Sequence, residues 1–282
     1  MKKIIDFLKK QPLVTGIIGV AFIALSIRFL GPRMANNFEG GVLRMAYAIA
    51  GMAFLYLISG DKTFNKSGGK TTRYICIALL VTLIEPVLVG VGGIIGYIQE
   101  GAKLVPGWFV NVLVMAFNCL SVGLVEEVAA RGLINDSLLY QFRDRKHIFL
   151  IIAIADVLIF GSIHVIGSTI STPAEVMAAV LKTVTSGLSG IFYLFMYWKT
   201  RNLWGCTLMH GLFDFLCDLP GMLFQTAEEA TVSIDYVSSV SSSAGAGVIF
   251  MGIETIIIIA ILVWLWKKHM KDVDFDEIRR TW

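Results

Sequence analysis

The chain has 282 residues, 56% of them hydrophobic, with a mean hydropathy of +0.74. Charged residues make up 16%, against about 25% in soluble globular proteins, which excludes an ordinary soluble domain and points to an integral membrane protein. That composition makes a lipid bilayer the expected partner and no nucleic acid is expected; the net charge is +3, and its placement matters more than its size.

In chain order, eight apolar segments reach or approach the ~20 residues that a span needs. They cover 13–30, 42–59, 74–98, 108–130, 148–166, 175–198, 203–224 and 246–266. The predicted fold is all-α: a polytopic membrane helix bundle of eight transmembrane helices. The first run has no small-residue cleavage site and reads as a retained span, not a signal peptide. In the third, Glu85 precedes Pro86, whose missing N–H predicts a kink. Lysine and arginine test the count. With the N-terminus inside, the inside segments hold 18 of the 24 basic residues. The outside loop 227–245 carries Glu228, Glu229 and Asp235 and no basic residue. That asymmetry predicts eight spans with both termini cytoplasmic. The Ser/Ala/Gly stretch 238–247 reads as a flexible lead into the last span. Residues 267–282 read as a cytoplasmic tail, helical or disordered. The whole of 1–282 is expected to form a single membrane domain. Cys76, Cys119, Cys206 and Cys217 lie in or beside apolar runs with no CxxC spacing, and read as small hydrophobes in helices.

Three polar islands interrupt the apolar runs. The first is Glu126-Glu127-Val128-Ala129-Ala130-Arg131, preceded from Trp108 to Val125 by no charged residue. A charge near mid-bilayer costs roughly 2.5–3.5 kcal/mol on insertion scales, and such residues usually face the protein interior or a wet cavity. On a helix Glu127 and Arg131 are i and i+4, in the favourable order, while Glu126 lies about 100° away. Arg131 can therefore pair with Glu127 and leave Glu126 free, and two carboxylates in different environments can take different roles. The second island is Phe160-Gly161-Ser162-Ile163-His164, and the third is His210-Gly211-Leu212-Phe213-Asp214. Each pairs its ends on one helix face. By composition, the Phe-to-His spacing arises about 0.25 times by chance, the His-to-Asp spacing about 0.15 times and the Glu-Glu-x-x-x-Arg pattern about 0.01 times. The specific signal is the combination, with each island in its own segment.

Depth adds a constraint. The chain turns back near residue 145, and Glu126 and His164 each lie 19 residues from that point, which predicts one height in an antiparallel pair. His210 is only about eight residues, roughly 12 Å, past the Lys199–Arg201 loop. For all to meet, the fourth and fifth helices must project on the inside. A continuous helix from Trp108 to Phe142 would be roughly 50 Å long against a ~30 Å hydrocarbon core. The site is therefore expected nearer the cytoplasmic face.

The three islands resemble the motif set of the CPBP family, the CAAX proteases and bacteriocin-processing enzymes also called the Abi family. The family pattern is Glu-Glu-x-x-x-Arg, then Phe-x-x-x-His, then His-x-x-x-Asn/Asp on successive membrane helices. The resemblance covers roughly 108–225, the expected catalytic core. Asp214 stands where the prenyl-protease branch has Asn. The resemblance implies an intramembrane endopeptidase, in a bacterial plasma membrane, acting on a membrane-associated peptide or protein. The catalytic residues would be Glu126, His164, His210 and Asp214. Peptide hydrolysis needs an activated water and a stabilised oxyanion. Glu126 is expected as general base, His164 to help hold the water, and His210 as the oxyanion donor. Asp214 would orient His210 or act while protonated; Glu127, Arg131 and Phe160 would be supporting residues.

Other readings compete. No metal is expected, but Glu126, His164 and His210 could form a zinc site with an open position; no His-Glu-x-x-His is present. Gly187-Leu188-Ser189-Gly190 matches a rhomboid-type serine pattern, though its small residues read better as a close helix contact. A transporter, or a non-catalytic bacteriocin-immunity protein, would use Glu85, Asp156, Glu175, Lys182 and Glu254 as polar groups within or beside spans.

Overall fold

A bilayer offers the backbone no hydrogen-bond partners, so a chain this apolar satisfies its N–H and C=O groups internally as helix. The computed structural model describes residues 2–30, 37–62, 69–165, 170–225 and 244–281. The acidic loop and most of the Ser/Ala/Gly stretch read from the sequence lie outside them. The helices are α1 (Lys2–Lys10), α2 (Pro12–Leu30), α3 (Asn37–Ser59), α4 (Gly69–Thr82), α5 (Ile84–Gln99), α6 (Trp108–Glu127), α7 (Asn135–Phe142), α8 (Ile148–Ile163), α9 (Pro173–Thr200), α10 (Leu203–Leu223), α11 (Ala244–His269) and α12 (Phe275–Thr281). Among the described residues the protein is all-α apart from two-residue strands β1 (Lys103–Leu104) and β2 (Phe224–Gln225), paired antiparallel. Among the described residues three helical runs are long and apolar enough to cross a membrane: Asn37–Ser59, Trp108–Phe142 and Pro173–Thr200. The number rises to five if two bent pairs each form one span. One bent pair is α4–α5, with 41° between them. Pro86 sits in the first turn of α5, and the expected kink is there.

The expected continuous run Trp108–Phe142 is found as 35 helical residues. It contains a feature that no apolar pattern announces. Val128–Ile134, between α6 and α7, is π-helical, and all seven of its residues are buried.

Contacts divide the chain into two compact units. One is Met1–Ser137 with Arg201–Ser233, and the other Leu138–Thr200 with Ile234–Trp282. In the first, α6 packs on α3 and α10, and α10 also on α5. Arg44 on α3 donates from Nη1 to Asn118 Oδ1 on α6 at 2.8 Å. The α6–α10 contact is backbone to backbone. A Cβ at Gly123 would stand 2.8 Å from Gly211 N and 2.8 Å from Thr207 O. Gly123→Leu is expected to lower stability by about 1–3 kcal/mol, the usual range for overpacking, seen as earlier thermal unfolding of the purified protein.

The turn into α10 is braced. Arg201 has φ +52°, a strained value for a residue with a Cβ. Its guanidinium is held by Asp136 through Nη1–Oδ1 and Nη2–Oδ2, both 2.8 Å, with the Asp136 side chain wholly buried. Asn202 then caps α10, accepting from Gly205 N at 3.0 Å. Asp136→Ala removes one half of a buried pair, a change that costs roughly 3–5 kcal/mol. Thermal melts should show a large loss, whereas an unchanged melt would mean the pair is solvated.

In the second unit α9 packs on α8 and α11. Gly187 faces the backbone of Val157, and Gly161 that of Thr183, so the Gly187–Gly190 stretch does make a close helix contact. Thr172, Pro173 and Glu175 start α9: Glu175 Oε2 accepts from Ser171 N and Thr172 N at 2.7 and 2.8 Å, and Thr172 Oγ1 accepts from Glu175 N at 3.3 Å. This reciprocal cap gives Glu175 a structural role. The tail is helical as α12. Phe275 sits among Phe149, Trp198 and Trp266. Arg279 donates to Lys146 O at 3.0 Å, and Lys199 pairs with Asp272 at 2.6 Å.

Candidate active site

Glu126 and Glu127 are the last two residues of α6, and the π turn begins immediately after them. Such turns are rare and frequently lie at functional sites. Arg131 is in the turn and is fully buried. Its Nε lies 3.2 Å from Glu127 Oε2, whose side chain is also fully buried. Two turns into α10, His210 Nδ1 is 2.8 Å from Glu127 Oε1. Glu127 thus joins two elements, with Arg131 on one oxygen and His210 on the other. With Glu127 Oε1 accepting, the proton is on Nδ1 and the Nε2 of the neutral ring carries none.

His210 Nε2 faces the other two carboxylates. Glu126 Oε2 and Asp214 Oδ2 each lie 3.7 Å from it, too far for a direct hydrogen bond. A water or a substrate oxygen placed off the connecting line could reach both partners at about 2.8 Å. Exposure follows the same division. The Glu127 and Arg131 side chains are 0% exposed and His210 is 7%, whereas Glu126 and Asp214 are 21% and 22%. Glu126 Oε2 has no hydrogen-bond partner within the protein.

The structure brings together Glu126, Glu127, Arg131, His210 and Asp214, all in the first unit. Phe160 and His164 belong to the second and meet each other. His164 follows the last residue of α8, its Nδ1 is 2.9 Å from Phe160 O, and the two rings lie 5.0 Å apart. A carbonyl only accepts, so in His164 also the proton is on Nδ1 and Nε2 is free to accept in the neutral ring.

Two roles are open to Asp214, orienting His210 or acting while protonated; the carboxylate on Nδ1 is Glu127, and Asp214 lies on the Nε2 side. The i+4 spacing puts Asp214 on the right helix face, but the interhelical partner wins because the α6–α10 contact brings Glu127 within bonding distance. Sequence reading missed that bond and the Asp136–Arg201 brace, which join residues 83 and 65 positions apart. No local spacing signals either.

Among the described residues no group of three or more His, Cys, Asp or Glu side chains is disposed to hold a metal ion. Of the three alternative zinc ligands, His210 could offer only Nε2, since Nδ1 is committed to Glu127. A cleft of about 820 Å³ lined by Arg143, Asp144, Asp274, Asp276, Arg279 and Arg280 contains none of the site side chains.

A helical membrane protein with a buried carboxylate–guanidinium pair orienting an imidazole toward two partly open carboxylates has the parts of an acid–base hydrolase. Residues 107–216 match the family model described as Rce1-like: Type II CAAX prenyl endopeptidase Rce1-like. That segment, less than half of the chain, contains every site residue from Glu126 to Asp214 and is similar there to the CAAX prenyl endopeptidases that the model describes. No curated protein and no solved structure matches the chain.

Proposed function

We propose that the chain is an intramembrane endopeptidase that hydrolyses a peptide bond of a membrane-associated substrate with a glutamate-activated water. The observation that carries this is the pair of 3.7 Å gaps from His210 Nε2 to Glu126 and Asp214, beside a carboxylate already committed to Arg131. Glu126 takes a proton from the water, which attacks the carbonyl carbon. His210, oriented by Glu127, presents Nε2 to the carbonyl oxygen; as imidazolium it donates to the oxyanion. Asp214, when protonated, donates to the same oxygen or passes a proton to the leaving amine. His164, with Nδ1–H on its own helix, offers Nε2 to hold the water.

The eight apolar segments of the sequence form eight spans in this reading, with both termini cytoplasmic, in a bacterial plasma membrane. The site lies nearer the cytoplasmic face in this reading. The substrate is a membrane-associated peptide or protein. A prenylated C-terminus and an unmodified peptide of the bacteriocin-precursor kind are the two classes to compare, since Asp214 replaces the Asn of the prenyl-protease branch.

The test is cleavage of both peptide classes by the purified chain in lipid nanodiscs, with and without chelator, for wild type and Ser189→Ala. Cleavage that survives chelation and the serine substitution is expected. Loss with chelator and recovery with zinc would move water activation to a metal. Loss only in Ser189→Ala would reject the glutamate assignment. Solute flux without any cleavage would favour a transporter.

A further inference from the structure

The peptidase reading leaves α1 unused. Its sequence, Lys-Lys-Ile-Ile-Asp-Phe-Leu-Lys-Lys, sorts cleanly at 100° per residue. Ile4, Ile5, Phe7 and Leu8 fall on one side, and Lys2, Lys3, Asp6, Lys9 and Lys10 on the other. None of the nine is buried; Ile4 is 65% exposed and Phe7 54%. Among the described residues nothing buries this apolar face, and only Leu8 on it is half-covered.

Its direction is fixed. The axis of α1 bends by 107° from that of Pro12–Ile27 in α2. The elbow is tied by Thr15, fully buried, whose Oγ1 lies 2.6 Å from Leu8 O and 3.0 Å from Gln11 O. Gln11 N donates to Leu8 O at 3.2 Å. α2 has 19 residues without an acidic group, about 28 Å of helix, the thickness of a hydrocarbon core. In the eight-span reading proposed above α2 crosses the bilayer, and a helix near a right angle to it lies in the bilayer plane.

We propose that α1 is an interfacial helix that docks on anionic phospholipids at one end of α2. Ile4, Ile5, Phe7 and Leu8 enter the headgroup–acyl boundary, about 5–10 Å deep for helices of this kind. Four lysines on the opposite side and its margins, against one aspartate, face the anionic headgroups, to which each basic residue is drawn. Charge complementarity selects lipid over a protein partner. The bilayer already surrounds the end of α2, and this helix has both an apolar face to immerse and a cationic face for headgroups.

The test uses the full chain in nanodiscs of phosphatidylcholine with or without phosphatidylglycerol and involves no cleavage, so its result is independent of the peptidase reading. A polarity-sensitive fluorescent amino acid replaces Phe7. The expected result is blue-shifted emission, mostly lost when acyl chains are brominated just below the headgroups and untouched by aqueous iodide. Phosphatidylglycerol should deepen the shift, and replacing Lys2, Lys3, Lys9 and Lys10 with Gln should abolish that increment. Emission quenched by iodide would overturn the proposal, as would emission shielded from both quenchers, which means a protein covers α1. If the four-lysine variant fails to fold, quenching and the phosphatidylglycerol response of the label in the otherwise unchanged chain still decide.

Discussion

Replacing Glu126 with Gln is expected to lower the cleavage rate about 10²- to 10⁴-fold, the usual contribution of a positioned general base, with little change in thermal unfolding. The argument for the split is the setting of this side chain. It is 21% exposed, and its Oε2 has no protein hydrogen bond. Glutamine has nearly the same shape and can still orient a water through its carbonyl oxygen, but it cannot take the proton. Little folding energy depends on the charge, so the loss should appear in kcat and spare the melt. A correctly folded Glu126→Gln that cleaves at the wild-type rate would remove Glu126 from the reaction.

Glu127→Ala should behave in the opposite way, losing stability and activity together. Both side chains of the Glu127–Arg131 pair are fully buried. Removing the carboxylate takes the 3.2 Å charge partner from a fully buried guanidinium, a change that costs roughly 3–5 kcal/mol, a large share of the 5–15 kcal/mol typical of a whole domain. It also takes the acceptor from His210 Nδ1–H, freeing the ring to turn. A second substitution separates the two effects. Glu127→Ala with Arg131→Met buries no unpaired charge and should recover much of the melting temperature, because apolar replacement of a buried ion pair is often neutral or better. Activity should stay lost, since His210 still lacks its orienting partner. Recovery of both would make Glu127 a folding residue alone.

The contrast between neighbouring glutamates was partly legible from spacing. Glu127 and Arg131 are one helical step apart, and helix geometry brings them together whatever surrounds them. The same local logic placed a helix on each apolar run, the bend at Pro86, the run from Trp108 to Phe142 and the close contact at Gly187. The cap of α9 by Thr172 and Glu175 was also written locally, as a Ser/Thr-x-x-Glu signature, and went unread beside its apolar neighbours. The π turn at Val128–Ile134 was not legible, because a seven-residue segment with a single polar residue, Arg131, has no periodicity for an added residue to shift.

By itself the sequence determined what periodicity and transfer energy control: helices throughout, their approximate limits, a membrane setting, and which polar residues are too costly to be incidental. Only the tertiary structure decided which of those residues act on each other. Glu127 reaches His210 because Gly123 and Gly211 let two helix backbones touch, and Arg201 finds Asp136 because a strained turn aims it there. Such meetings depend on interhelical distance and on side-chain direction at that distance. Those are set by packing over the whole unit and are carried by no single stretch of chain.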